Sequence, residues 1–421
     1  MQSSIKLRLT VMNFLQFAVW GAYLTSMGRY LGTAGFGSEI GNFYAMQGLV
    51  SLFMPALMGI VADRWIPAQR LLGVCHMLAG MLMLGVFLYT QTDTPSYPTL
   101  FALYSLSVAF YMPTLALSNS VAYTSLDQAG LDLVKSFPPI RVFGTVGFIC
   151  TMIAVSLLGL EATSGQFAVS AIISLVLAVY AQTLPNCPTA PKGQSKSLVE
   201  ALGLRAFVLF KQRKMALFFI FSMLLGVSLQ ITNGFANPFI STFGEIPAYA
   251  DTFGVKYANI LISLSQLSET LCILLIPFAL RRFGIRRVML IAMVAWVLRF
   301  ALLGLGNPGS GVWLFLLSMI VYGVAFDFFN VSGSLFVDQE TDPSIRSSAQ
   351  GLFMIMTNGI GATLGSLGAQ AVINHFVYSE HDTTAILAGW SMSWYVFAAY
   401  AAVVAVLFAL LFRYNTVTEA K

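Results

Sequence analysis

Twelve times along this chain the side chains turn apolar for about twenty residues, the length a helix needs to cross the hydrocarbon of a bilayer. The approximate spans are 7–32, 38–62, 68–90, 97–122, 138–159, 164–184, 215–241, 255–280, 285–304, 311–336, 347–373 and 388–413. Inside hydrocarbon every backbone N–H and C=O must be paired within its own segment, which makes the helix the expected element. Composition points the same way. Only 9% of residues are charged and 57% are hydrophobic, with 34 Phe, too few charges to coat a water-soluble surface and too many rings for a disordered chain. A soluble enzyme is excluded, and the expected fold is an all-α membrane protein of twelve transmembrane helices.

The connections organise these segments. Most are short and built from turn residues, as at 306–311 (Gly-Asn-Pro-Gly-Ser-Gly) and 94–98 (Thr-Pro-Ser-Tyr-Pro). One is longer: residues 185–214 hold three prolines and six basic residues, with an amphipathic stretch from Leu198 to Leu209 suited to a membrane surface. The chain therefore divides into an N-terminal six-helix bundle (1–184), a cytoplasmic linker (185–214) and a C-terminal six-helix bundle (215–421). Lys6 and Arg8 precede a first apolar stretch that is too long for a signal peptide and lacks an A-x-A site, so it reads as an uncleaved helix. Cys75, Cys150, Cys187 and Cys272 show no paired spacing, and His76, His375 and His381 show no ligand spacing; no metal and no cofactor is expected.

Charge placement gives an orientation. With both termini in the cytoplasm, all of the 22 basic residues except Arg29, Lys256, Arg141 and Arg299 fall on the inner side, a strong positive-inside asymmetry. The net charge of +5 then reflects topology and contact with anionic lipid, with no call for nucleic acid as a partner. The basic turns Gly59-Ile-Val-Ala-Asp63-Arg64-Trp65 and Arg281-Arg282-Phe283-Gly284-Ile285-Arg286-Arg287 occupy equivalent positions in the two halves. The first resembles the loop signature of the major facilitator superfamily, without its second glycine. That resemblance implies the superfamily fold, with two six-helix halves facing a midplane site. No G-x-x-x-x-G-K-[ST] motif provides for an ATP-driven pump, and no H-E-x-x-H motif for an intramembrane enzyme, which leaves a secondary transporter and no enzyme.

Ionisable side chains at membrane depth cost at least about 2.5–3.5 kcal/mol, so each requires a partner, a cavity or a role. There are four: Arg141, Glu269, Arg299 and Asp327. Arg141, Thr145 and Phe148 share one helical stripe at i, i+4, i+7. Gln230, Asn233 and Asn237 form a second stripe and Gln266 with Glu269 a third. Tyr322, Phe326 and Asn330 line one face beside Asp327, and the first segment adds Asn13, Gln16 and Trp20. Amides, carboxylates and an arginine suit a substrate with hydroxyl and imide groups, and the interleaved rings suit something flat. A nucleoside has both; a sugar or other small solute carried by the same fold is the alternative. Other readings remain open. Asp327 paired with Arg141 or Arg299 would be a structural salt bridge, Arg299 near the outer end of its segment would snorkel or brace, Gln230 and Asn233 would be interhelical glue, and Gly361 with Gly365 would allow close helix packing.

At these residues the chain resembles the nucleoside:proton symporter family, nearly end to end. The matching stretches are Phe137-Pro-Pro-Ile-Arg141-Val-Phe-Gly-Thr145, Leu229-Gln230-Ile-Thr-Asn233, Ser265-Gln266-Leu-Ser-Glu269 and Val321-Tyr322-Gly-Val-Ala-Phe326-Asp327-Phe-Phe-Asn330. The resemblance implies a nucleoside pocket at Arg141, Thr145, Phe148, Gln230, Asn233, Gln266, Glu269, Tyr322, Phe326 and Asp327. It implies proton-coupled import of nucleosides, xanthosine and uridine among them, across a bacterial inner membrane by a monomer working through alternating access. Asp327 is the preferred proton carrier and Glu269 the second. The partners expected are a nucleoside, a proton and membrane lipid.

Overall fold

The computed structural model describes residues 2–189, 198–201 and 204–413. Lys192, Lys196, Lys421 and the central part of the expected linker lie outside them. Among the described residues nine helical stretches are long and apolar enough to cross a membrane. One of them, Ala258–Leu305, is 48 residues long, far more than one crossing requires at 1.5 Å per residue. It is broken inside the basic turn at Gly284, where φ is 76° and ψ 163°, a backbone state that a side chain would strain. Two further helices, Gln2–Gly21 and Gly165–Ala181, sit where the first and sixth expected segments lie. Among the described residues the fold is all-helical and consistent with the twelve expected segments.

The apolar faces turn outward. Val403, Val406 and Leu410 on the last helix, Thr383–Leu411, are exposed, as are Ile172, Val176 and Val179 on Gly165–Ala181. Buried instead are polar groups such as Gln16, His76, Asn237, Ser318 and Arg299. A protein with that inversion is at home in hydrocarbon, where an exposed leucine costs nothing and an exposed amide is expensive.

The described residues form two compact units, one of residues 1–36 and 46–202, the other of 37–45 and 203–421. In the first unit Leu9, Met12, Leu72, Val121, Leu126 and Leu177 meet in an apolar core. In the second, Phe218 is surrounded by Phe329, Phe336, Phe353 and Phe412. The short stretch 37–45 joins this unit through Gln370, whose carboxamide donates to the Gly37 carbonyl at 3.0 Å and accepts from the Gly41 N–H. Arg286 closes the end of Thr383–Leu411, donating to the carbonyls of Phe412 at 2.6 Å and Ala409 at 2.7 Å, as suits a cation at a helix C-terminus.

Several crossings are discontinuous where the sequence shows only unbroken apolar runs. Arg213–Leu229 and Ile231–Thr242 are separated by Gln230 alone. Arg346–Met354 passes into the π-helical turn Ile355–Gly361 before Ala362–Ile373. The Leu133–Leu157 helix differs in the other direction, beginning five residues before the expected start and running through Pro138 and Pro139.

Helix Arg213–Leu229 meets the segment after residue 354 backbone to backbone. A Cβ on Gly226 would collide with the Thr357 carbonyl, one on Gly365 with that of Val227, and one on Gly361 would lie 2.8 Å from the Gly226 Cα. Small residues are what allow membrane helices this approach. Gly365→Val should therefore cost at least about 1–3 kcal/mol of packing. A thermal melt of the detergent-purified variant should show a lower midpoint than wild type, and an unchanged midpoint would contradict the contact.

Candidate functional site

In the first unit Arg141, Thr145 and Phe148 follow one another along Leu133–Leu157. This helix crosses Gln2–Gly21 at a distance set by glycine, because Cβ atoms on Gly147 and Gly21 would strike the backbone of Phe14 and Phe148. The close crossing lays the expected stripe against aromatic side chains of the first helix. The Arg141 guanidinium stands over the Phe17 ring, 4.1 Å from its centroid. Phe148 meets Trp20 edge to face at 6.4 Å, and Trp20 in turn packs on Tyr111 at 6.0 Å.

Behind these rings lies a polar cluster that sequence spacing did not reveal. His76 is wholly buried and reaches Gln16 Oε1 at 2.8 Å through Nε2 and Ser174 Oγ at 2.9 Å through Nδ1. Gln16 Nε2 donates to Thr114 Oγ1 at 2.7 Å, and the Tyr111 hydroxyl donates to the Gln16 carbonyl at 2.9 Å. Four helices thus exchange hydrogen bonds around one imidazole. The only signal available was that a histidine and a glutamine stood inside apolar runs.

In the second unit Gln230, at the junction of two helices, lies one turn before Asn233, whose Nδ2 donates to Gln230 Oε1 at 2.9 Å. Gln266 and Glu269 lie on Ala258–Cys272, both half-buried. Tyr322, Phe326 and Asp327 lie on Val312–Glu340. Gly323 brings these two helices together, since a Cβ there would meet the Ser268 carbonyl at 2.5 Å. Tyr322 and Phe326 stack with centroids 5.6 Å apart and planes inclined by 17°, giving a flat apolar surface. Glu269 and Asp327 are within electrostatic reach of each other and of Tyr322. Asp327 is only 5% exposed, and among the described residues its carboxylate makes no hydrogen bond or ion pair; Oδ2 is sealed from solvent. Asn237, the last member of the expected stripe, points elsewhere and bonds Asn259 at 3.0 Å.

Of the readings open for Arg299, the structural brace is the one its surroundings match. The arginine neither snorkels to the interface nor pairs with Asp327. Its side chain is 2% exposed, and its partners among the described residues are neutral: the Ser318 carbonyl at 2.8 Å, Thr232 Oγ1 at 3.2 Å, Ser265 Oγ at 3.4 Å and the Tyr322 ring, whose centroid lies 4.5 Å from Cζ. Hydrogen bonds to a charged donor contribute about 1.5–3 kcal/mol each, and a desolvated cation over an aromatic face about 2 kcal/mol. Together these suffice to hold a guanidinium that insertion scales penalise by only a few kcal/mol.

Helices that bury carboxylates, amides and stacked rings inside an apolar exterior are those of a multi-pass membrane transporter. The chain matches the family described as Nucleoside H+ symporter over residues 3–417 and belongs to it. It is 50% identical to the xanthosine permease of Escherichia coli (strain K12) over 415 residues, covering 98% of this chain and 97% of that protein. It is 46% identical to the nucleoside permease NupG of the same organism over 417 residues, with 98% and 97% covered. The crystal structure of nucleoside transporter NupG superposes with a TM-score of 0.89 at 45% identity, covering 98% of this chain and all of that one. The fold is that of the major facilitator superfamily.

The His76 cluster generates a prediction. His76→Leu strands the buried Gln16 Oε1 and takes from Ser174 Oγ one of its two bonds, the one to the residue-76 carbonyl remaining, at about 1–3 kcal/mol for the stranded group. The melting midpoint of the purified variant should fall well below that of wild type, and His76→Gln, which keeps a donor and an acceptor, should recover part of the loss.

Proposed function

We infer that this protein imports nucleosides together with protons by alternating access across a bacterial inner membrane. Membership of the symporter family supports the substrate and the coupling, and its likeness to a xanthosine permease and a nucleoside permease supports nucleosides, xanthosine among them, as substrates. The observation that carries the mechanism is Asp327. A buried carboxylate without a counter-ion is costly as an anion, and binding a proton cancels its charge. Glu269, within electrostatic reach, is the second candidate. The stacked Tyr322 and Phe326 offer a flat surface for a base, while Gln230, Asn233 and Gln266 offer the donors and acceptors that ribose hydroxyls and imide groups require. Arg141, Thr145 and Phe148 supply the same combination of charge, hydroxyl and ring from the first unit.

In this reading residues 1–184 and 215–421 are the two halves of the transport cycle, joined by the 185–214 linker. Both termini lie in the cytoplasm, as the distribution of Lys and Arg supports. A proton and a nucleoside bound from the outer side together permit the inward-facing state, and release to the cytoplasm resets the carrier.

Reconstituted into proteoliposomes, the wild type should accumulate labelled uridine or xanthosine when an inward proton gradient is imposed and only equilibrate them when it is collapsed. Excess glucose should not compete. Accumulation indifferent to the gradient would make the protein a facilitator. Asp327→Asn should lose gradient-driven accumulation by at least about tenfold; full retention would transfer the proton to Glu269 or another group.

A further inference from the structure

We propose that Arg299 is a positioning residue of the nucleoside site, holding Tyr322 and the three helices that bear the second unit's binding groups in one fixed arrangement. The proposal rests on the functional reading above and adds to it a residue outside the expected pocket. Arg299 projects from Ile276–Leu305, a helix that carries none of the candidate residues. Each of its contacts lies beside one. Thr232 precedes Asn233 on Ile231–Thr242, Ser265 precedes Gln266 on Ala258–Cys272, and Ser318 stands one helical turn before Tyr322 on Val312–Glu340. The Ser318 hydroxyl returns a bond to the Arg299 carbonyl at 3.0 Å, so the two helices are clasped from both sides.

The guanidinium plane also backs the Tyr322 ring at 4.5 Å, and Trp296, one turn earlier on the same helix, meets that ring edge on at 5.9 Å. Tyr322 is thus fixed from behind while it stacks on Phe326. A planar fork can satisfy acceptors on three helices and stack at once; an ammonium cannot. No carboxylate pairs with Arg299 among the described residues, so its geometry does not depend on the charge of Asp327 or Glu269, and the platform can stay in place while those groups gain and lose protons.

The test compares wild type with Arg299→Lys, Arg299→Met and Thr232→Val in proteoliposomes, with the amount of folded transporter measured by size-exclusion chromatography. Initial rates of uridine uptake give KM and kcat per folded protein. Arg299→Met should raise KM about thirtyfold with kcat within about threefold of wild type. Arg299→Lys should recover only part of that, because charge returns without the fork and the stack. A purely structural role would lower the folded amount and leave KM per folded protein unchanged. If the arginine variants do not fold, Thr232→Val decides: it removes one tether, should raise KM about threefold, and an unchanged KM overturns the proposal. Failure of the wild type to accumulate nucleoside under a proton gradient would defeat the functional reading; wild-type transport with unaltered KM in the folded variants would defeat only the positioning role.

Discussion

Hydrocarbon supplies no hydrogen bonds, so every polar group carried to membrane depth has to be satisfied by the protein itself or held for a purpose. Much of the structure is arranged around this constraint. His76, Gln16, Thr114 and Ser174 are satisfied by one another at the centre of the first unit. In the second, Arg299 is held through its two terminal nitrogens by carbonyl and hydroxyl oxygens and a ring, with only Nε left unpaired among the described residues. In each case the group that is expensive in lipid becomes a tie between helices, because its acceptors come from different segments.

Such ties need helices that approach closely, and glycine provides the approach. Gly21 and Gly147 set the crossing that places Phe148 beside Trp20, and Gly323 sets the crossing that brings Asp327 near Glu269. Helical spacing then pairs individual side chains: Gln230 and Asn233, three residues apart at the junction of Arg213–Leu229 and Ile231–Thr242, meet amide to amide.

Much of this was legible in the sequence. The order of the helices followed from hydropathy, because the length of an apolar run is set directly by bilayer thickness. Ionisable residues at depth singled out Arg141, Glu269 and Asp327, because the cost of burying them is paid at specific positions. What could not be read was how each cost is met. Arg299 and Asp327 stand in similar apolar runs, yet one is surrounded by oxygen acceptors and the other is not, a distinction that arises only when Thr232, Ser265 and Ser318 converge from distant parts of the chain. Gln230 shows the same limit: apolar runs do not record a one-residue break, and π-helical turns such as 355–361 follow from neighbouring helices more than from local propensity.

The contrast between the two groups bears on mechanism. A side chain whose charge must change during transport cannot also be the fixed point of the scaffold, because bonds made to one charge state are lost in the other. Arg299 is bound by neutral partners and stays charged throughout any accessible pH, so its contacts persist whatever the carboxylates do. Asp327 has few contacts to lose, and gaining or losing a proton there alters the electrostatics seen by Glu269 and Tyr322 without unfastening the helices that carry them. On the proposed assignment of Asp327 as proton carrier, separating the permanent charge from the exchangeable one lets a single unit remain rigid in its packing while its electrostatic state switches, which is the property a proton-coupled carrier requires.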